Sequence, residues 1–138
     1  MNRDIVSVGD VMTGSLRTVG RMDTVAQAIE AMREAGVSSL LVERRGPGDE
    51  FGLITIADIA REVIARDRPV ERVNVYEVMA KPVLTLPQEM QTKYAVRLLV
   101  RFGLSRALVV DVSRTPVGIV TLRDMVLRLG TNPPKAGY

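Results

Sequence analysis

Two short stretches carry the residue types best placed to do chemistry: Gly52-Leu-Ile-Thr55-Ile-Ala-Asp58 and Gly118-Ile-Val-Thr121-Leu-Arg-Asp124. In each, an apolar run with strand character passes into a helical pattern through a threonine, with an aspartate three residues on. Thr-x-x-Asp at a helix start closes a capping box: the hydroxyl accepts a first-turn N–H, and the carboxylate answers the threonine's own N–H. The same geometry suits a phosphorylated sugar. A helix start presents unpaired N–H groups and the positive end of the dipole, which favour phosphate. The threonine hydroxyl can bond a phosphate or sugar oxygen, and an aspartate can accept from both hydroxyls of a ribose. The glycine is expected to keep the approach free of a side chain. A cap is the commoner use of a single such motif. Two copies in register weigh toward a ligand, although a duplication copies a structural cap as well.

Composition narrows the chemistry further. The 138 residues include no cysteine and no histidine, which removes thiol nucleophiles, disulfides, the commonest general base and the commonest transition-metal ligands. No nucleophile–base pair is visible, so an enzyme is not expected. No apolar run approaches the length of a membrane span, and the first twelve residues carry charges where a signal peptide is apolar, so a cytoplasmic location is expected. The net charge of +3 is unevenly spread. Residues 1–69 hold 9 basic and 11 acidic side chains, and residues 70–138 hold 10 and 5. An anionic partner should therefore favour the second half.

The motif recurs because the chain reads itself twice. Val11-Met12 returns as Val78-Met79, Thr18 as Thr85, Ala28 as Ala95, Gly36 as Gly103 and Ser38 as Ser105, all at an offset of 67. Beyond the turn at Arg45–Glu50 the offset is 66, giving Gly118, Thr121 and Asp124 from Gly52, Thr55 and Asp58. Two copies are too few for an open solenoid and suit a pseudo-twofold pair.

The elements that must position the motif have the order β-α-β-β-α in each copy. The first copy reads as a strand at Leu16–Val19 and a helix capped by Asp23, with Val25, Ala28, Ile29 and Met32 inward, stopping at Gly36. Strands at Leu40–Glu43 and Phe51–Thr55 follow, then a helix from Ile56 to Arg66 with Ile59, Ala60, Val63 and Ile64 inward. The second copy reads as a strand at Val83–Leu86, then a helix with Ala95, Leu98, Leu99 and Phe102 inward that ends at Gly103. Strands at Ala107–Val110 and Val117–Thr121 and a helix at Leu122–Leu129 complete it. Asp67–Val73 links the copies, and residues 131–138, with Pro133-Pro134, read as a loose tail. The fold class is mixed α/β, with domains at 8–68 and 69–130.

The ordered set of Val-Met, the strand threonines Thr18 and Thr85, the Gly36 and Gly103 segments and the two Gly-x-x-Thr-x-x-Asp endings resembles cystathionine-β-synthase (CBS) domains over residues 8–130. The tandem resembles the paired regulatory, or Bateman, module that such domains form. The resemblance implies two β-α-β-β-α units related by a pseudo-twofold and packed through their sheets, with two clefts that bind adenosyl ligands. It also implies a homodimer, and a stand-alone module would act through an unidentified target protein.

Carried over residue by residue, the resemblance gives one cleft Thr121 and Asp124 with Ser105, and Val37 and Ser38 across the interface. The loop at Gly14, Ser15 and Leu16 would contact the base. The other cleft takes Thr55, Asp58, Ser39 and Leu104, with the loop at Lys81, Pro82 and Val83. Arg106 stands where relatives often place a phosphate-binding cation, and its counterpart is Ser39. Arg123 adjoins Asp124, whereas Ala57 adjoins Asp58, and Lys81 is the cation within reach of the second cleft. A planar guanidinium suits phosphate, so AMP in the Thr121/Asp124 cleft is the favoured ligand, before ADP, ATP or S-adenosylmethionine. The alternatives are a nucleic-acid binder using the basic second half, poorly supplied with stacking rings by two Phe and three Tyr, or a ligand-free structural adaptor.

Overall fold

The structure, a computed structural model, describes residues 5–131, with side chains to Leu129. Residues 132–138, most of the expected tail, lie outside the described residues. The chain opens with a short helix α1 (Val8–Val11) and continues through β1 (Thr18–Val19), α2 (Val25–Ala35), β2 (Ser39–Val42), β3 (Gly52–Thr55) and α3 (Ile56–Ile59). A π-helical turn (Ala60–Ile64) and two 3-10 turns (Val70–Arg72 and Val75–Glu77) follow. The second copy supplies β4 (Thr85–Pro87), α4 (Thr92–Phe102), β5 (Arg106–Val110), β6 (Pro116–Thr121) and α5 (Leu122–Thr131). The class is mixed α/β, with two three-stranded sheets of order β1-β2-β3 and β4-β5-β6. In each, the first pair is parallel and the second antiparallel.

Local chemistry explains the helix ends. Thr24, not Asp23, caps α2: the Gln27 N–H donates to the Thr24 hydroxyl (3.1 Å), and the Thr24 N–H donates to the Gln27 side chain (2.8 Å). Asp23 is occupied one turn earlier, accepting the Gly20 N–H at 2.8 Å. Both long helices stop at a glycine in the left-handed region, Gly36 (φ 67°) and Gly103 (φ 66°), where a β-carbon would be strained.

The chain divides into two compact units, Leu16–Val83 and a split unit of Met1–Ser15 with Leu84–Tyr138. These units differ from the copies at 8–68 and 69–130 as written along the chain, because each copy's lead segment folds with the other copy's sheet. In the split unit, the Val8 N–H donates to the Met90 carbonyl (2.8 Å) and the Thr92 N–H to the Val6 carbonyl (2.8 Å). Thr13 bridges Ile119 on β6. In the Leu16–Val83 unit, Ala80 bridges Leu53 on β3 in the same way. Both bridges cover what would otherwise be an open sheet edge. The link beyond Pro69 is likewise folded in: Val73 and Val75 are buried, and the Val25 N–H donates to the Val73 carbonyl at 2.8 Å.

Each sheet packs its helices against one face. Val25, Ala28, Met32, Leu40, Val42, Ile54, Ile59 and Val63 form the core of one unit. Val8, Ala95, Leu99, Ala107, Val109, Val120 and Met125 form that of the other. Three residues expected inward are exposed. Ala60 and Ile64 lie in the π-helical turn, where the Ala65 N–H reaches the Ala60 carbonyl five residues back (2.8 Å), and the wider turn shifts the phase of the apolar stripe. Phe102, the last residue of α4, is 58% exposed. The helix-free face carries Ser39, Leu41, Leu53 and Thr55 in one unit and Arg106, Leu108, Ile119 and Thr121 in the other, since opposed residues of an antiparallel pair share a face.

Candidate functional site

In the split unit, the β5–β6 register sets Arg106 directly opposite Thr121, so both side chains stand on the helix-free face. The next N–H, that of Leu122, donates to the Ser105 carbonyl (2.8 Å), which ties the α4–β5 segment to the start of α5. The Asp124 N–H donates to the Thr121 hydroxyl at 3.0 Å. Arg123 is exposed, with its guanidinium 3.6 Å from the Asp124 carboxylate. Leu104 leads into the same segment, its N–H donating to the Leu99 carbonyl (2.8 Å). The structure thus brings Ser105, Arg106, Thr121, Arg123 and Asp124 to one strand–helix junction. Gly14 and Ser15 belong to the same unit and are exposed. They follow Thr13, whose N–H donates to the Ile119 carbonyl at 2.9 Å.

The Leu16–Val83 unit repeats the junction with other side chains. Ser39 stands opposite Thr55, and the Ile56 N–H donates to the Ser38 carbonyl (3.0 Å). Here the capping box is complete: the Asp58 N–H donates to the Thr55 hydroxyl (3.0 Å) and the Thr55 N–H to Asp58 Oδ2 (3.1 Å). The other carboxylate oxygen, Oδ1, accepts from Arg61 at 2.8 Å. Bonding to Asp58 first, then to Glu62, raises the Arg61 pKa. Sequence reading missed Arg61, although its i,i+3 spacing from Asp58 on a helix was the available signal.

Lys81 is not free for this junction. Its ammonium donates to Asp49 Oδ1 at 2.7 Å, in the β2–β3 turn. Asp49 is held well below the usual carboxylate range, by the Arg45 backbone N–H first and the Lys81 ammonium second. Nothing in the sequence signals a pair 32 residues apart. Pro82 is exposed and Val83 half-buried. Leu16, Val37 and Ser38 lie in this unit with Thr55, Asp58, Ser39 and Lys81, whereas Leu104 lies in the split unit.

The glycines of the motif do not clear a path for a ligand. A β-carbon on Gly118 would lie 2.5 Å from the Met12 sulfur and 2.7 Å from the Thr13 carbonyl oxygen. One on Gly52 would lie 2.7 Å from the Met79 sulfur. Each glycine is the seat of the Val-Met dipeptide of the other copy.

A separate cavity of about 410 Å³ opens on the helix side of the Leu16–Val83 unit, lined by Ile29, Met32, Val37, Ile56, Ile59 and Ile64 among others. Its walls are mostly apolar, with Arg33 the one charged residue among them, and of the expected site residues it includes only Val37. Among the described residues, no group of acidic side chains could hold a metal ion, and no helix is long and apolar enough to cross a membrane.

Two successive β-α-β-β-α arrangements with the same strand–helix junction define a tandem of small α/β units, and comparison with known proteins places the family. The CBS domain model matches twice, at residues 8–65 and 75–130. The chain belongs to the CBS-domain family, as a tandem pair. It is 32% identical to the hexameric CBS-CP12 protein of bloom-forming cyanobacteria, with a TM-score of 0.84 over 89% of this chain and 67% of that one. A conserved CBS-domain protein of unknown function from Thermoplasma acidophilum is 30% identical, with a TM-score of 0.79 over 96% of this chain and 71% of that one. An uncharacterized protein of Methanopyrus kandleri is 30% identical over 88% of this chain. The chain spans 61% of that relative's length and 44% of that of a Thermofilum pendens relative.

Proposed function

We propose that this protein is a non-catalytic regulatory module that binds an adenine nucleotide at the junction formed by Ser105, Arg106, Thr121 and Asp124. AMP is favoured, before ADP, ATP or S-adenosylmethionine. The observation that carries the reading is the register pair Arg106–Thr121. It sets a guanidinium beside a hydroxyl at the start of a ten-residue helix, which is chemistry suited to a phosphate. Asp124, one turn in, is the group for the ribose hydroxyls. At the equivalent place in the other unit, Ser39 offers no charge and Asp58 is engaged by both the cap and Arg61, so that junction is the weaker of the two. The family supports a regulatory rather than catalytic role.

Output would pass to a target protein or through self-association. We take a homodimer as the simplest assembly. The hexameric state of the CBS-CP12 protein is in keeping with self-association, as are the exposed apolar side chains along the helices, Ile56, Ile64, Val100 and Val126 among them.

Thermal unfolding with AMP, ADP, ATP, S-adenosylmethionine, adenosine and deoxy-AMP tests the nucleotide reading. A ligand at 100 times its Kd adds about 2.7 kcal/mol to the native state. A shift with AMP that is much weaker with deoxy-AMP, and lost in Asp124→Ala, is the expected result. No shift with any of them at millimolar concentration would overturn the reading.

A further inference from the structure

The two aspartates of the repeated motif are in different states. Asp58 has both carboxylate oxygens engaged: Oδ2 accepts from the Thr55 N–H at 3.1 Å, and Oδ1 accepts from the Arg61 guanidinium at 2.8 Å. The Asp124 carboxylate has only the exposed Arg123 beside it among the described residues, with the guanidinium 3.6 Å away, beyond hydrogen-bond reach. The Asp58 side chain is 15% exposed and that of Asp124 37%. A carboxylate offers acceptors only, so ribose hydroxyls and a guanidinium compete for the same oxygens. The caps do not account for the difference, since each threonine hydroxyl accepts the N–H of its aspartate at 3.0 Å.

The difference comes down to one position. At the offset of 66, Arg61 corresponds to Leu127. Residues at i and i+3 are neighbours on a helix surface, so the side chain three residues after each aspartate is the one placed to cover it. Arg61 is also held from its other side: its Nε donates to Glu62 at 3.2 Å, and Glu62 accepts in turn from Arg66 at 3.0 Å. An exposed ion pair is worth little alone and more within a network. The split unit cannot repeat that network, because Arg128 stands where the first copy has Glu62. Leu127, 48% exposed, offers Asp124 no donor.

A ligand hydroxyl arriving at Asp58 must displace a charge-assisted bond from Arg61. At Asp124 it meets a carboxylate with no such bond to displace. Two junctions with the same threonine and the same aspartate thus differ in what the carboxylate is free to accept.

We infer that Arg61 closes the junction of the Leu16–Val83 unit by occupying Asp58, so that one nucleotide binds per chain. The side chain three residues after the motif aspartate, Arg61 or Leu127, sets whether a junction is closed or open. The inference rests on the nucleotide reading proposed above and adds the residue that limits it to one site.

Calorimetric titration of the full chain with AMP tests it, using Arg61→Leu and the reciprocal Leu127→Arg, each of which gives one junction the residue of the other. Wild type should take up one equivalent. Arg61→Leu should gain a second event, weaker than the first because Ser39 brings no cation, and Arg61→Leu/Asp58→Ala should lose it again. Leu127→Arg should weaken the first event by about fivefold, the upper end for an exposed ion pair, whereas the uncharged Leu127→Gln should leave it within about twofold. Circular dichroism checks that each variant folds, and Arg61→Gln replaces Arg61→Leu if that variant does not. No second event in Arg61→Leu, or two equal events in wild type, overturns the closure while nucleotide binding stands. Equal losses in Leu127→Arg and Leu127→Gln assign the effect to side-chain shape and overturn the ion-pair account. A single event that appears only in Arg61→Leu and needs Asp58 upholds the closure and overturns the Thr121/Asp124 reading. No binding by any variant at millimolar AMP overturns both.

Discussion

The Met12 sulfur lies 2.5 Å from where Gly118 would carry a β-carbon, and the Thr13 carbonyl oxygen lies 2.7 Å from the same point. Gly118→Ala must therefore push a backbone carbonyl as well as a side chain, and overpacking of this kind costs about 1–3 kcal/mol. At Gly52 the nearest atom is again a methionine sulfur, at 2.7 Å, but the nearest backbone atom, the Ala80 carbonyl oxygen, is 3.2 Å away. A flexible thioether yields more cheaply than backbone. Denaturant unfolding should rank Gly118→Ala as the more damaging, with Gly52→Ala intermediate between it and wild type.

On the proposed nucleotide reading, Arg106 is the residue expected to separate phosphate recognition from base recognition. Replacing it with Ala should weaken AMP binding by about tenfold or more, in line with the loss of a charge-assisted hydrogen bond, and leave adenosine binding within about twofold. Calorimetric titration with the two ligands reads the difference. Equal losses for both would assign Arg106 a structural role in the β5–β6 pair.

Acid should act through the Asp49–Lys81 pair. The folded pKa of Asp49 is depressed, so its contribution to stability is complete above the ordinary aspartate value of 3.8 and is lost as pH falls through the lowered one. Glu77 is depressed too, by the Asn74 backbone N–H first and Arg68 second, and adds to the same acid limb. Stability measured from pH 6 downward should fall below about pH 4, and Asp49→Asn should make that limb shallower while lowering stability at neutral pH.

The β5–β6 turn holds Arg114 at φ 65° while Asp111 Oδ1 accepts from both the Ser113 and Thr115 N–H groups, at 2.8 and 2.9 Å. The left-handed conformation costs a side-chain-bearing residue about 1–2 kcal/mol. Part of that returns on glycine substitution, offset by the greater freedom of the unfolded chain. Arg114→Gly should raise stability by about 0.5–1 kcal/mol, visible as a Tm increase of a few degrees.

The repeat, the fold class and both long helices were legible because they rest on local signals: apolar periodicity, a glycine at each helix end and turn residues between strands. Thr24 displaced Asp23 as the cap because a glutamine three residues on completes its box, a pattern present in the sequence and passed over. The phase shift at Ala60–Ile64 was not legible, since no residue type announces a π-helical turn. The Thr-x-x-Asp junctions were found, but not the partners that occupy their charged groups. Asp58 is spoken for by Arg61, a local i,i+3 neighbour that was passed over, and Lys81 by an aspartate from a distant turn that no local signal announces. The glycines were read for the wrong partner, because the methionines that fill their space come from the other copy of the repeat.

That exchange of lead segments bears on how the chain came to be doubled. A single copy cut at the repeat boundary, 8–68, would hold Gly52 without Met79 and Met12 without Gly118, leaving one sheet edge bare and one methionine without a seat. Two separate copies could satisfy each other only by trading arms. The tandem chain thus holds within one polypeptide an exchange that two separate copies would have to make between molecules, each half supplying the lead segment of the other's unit.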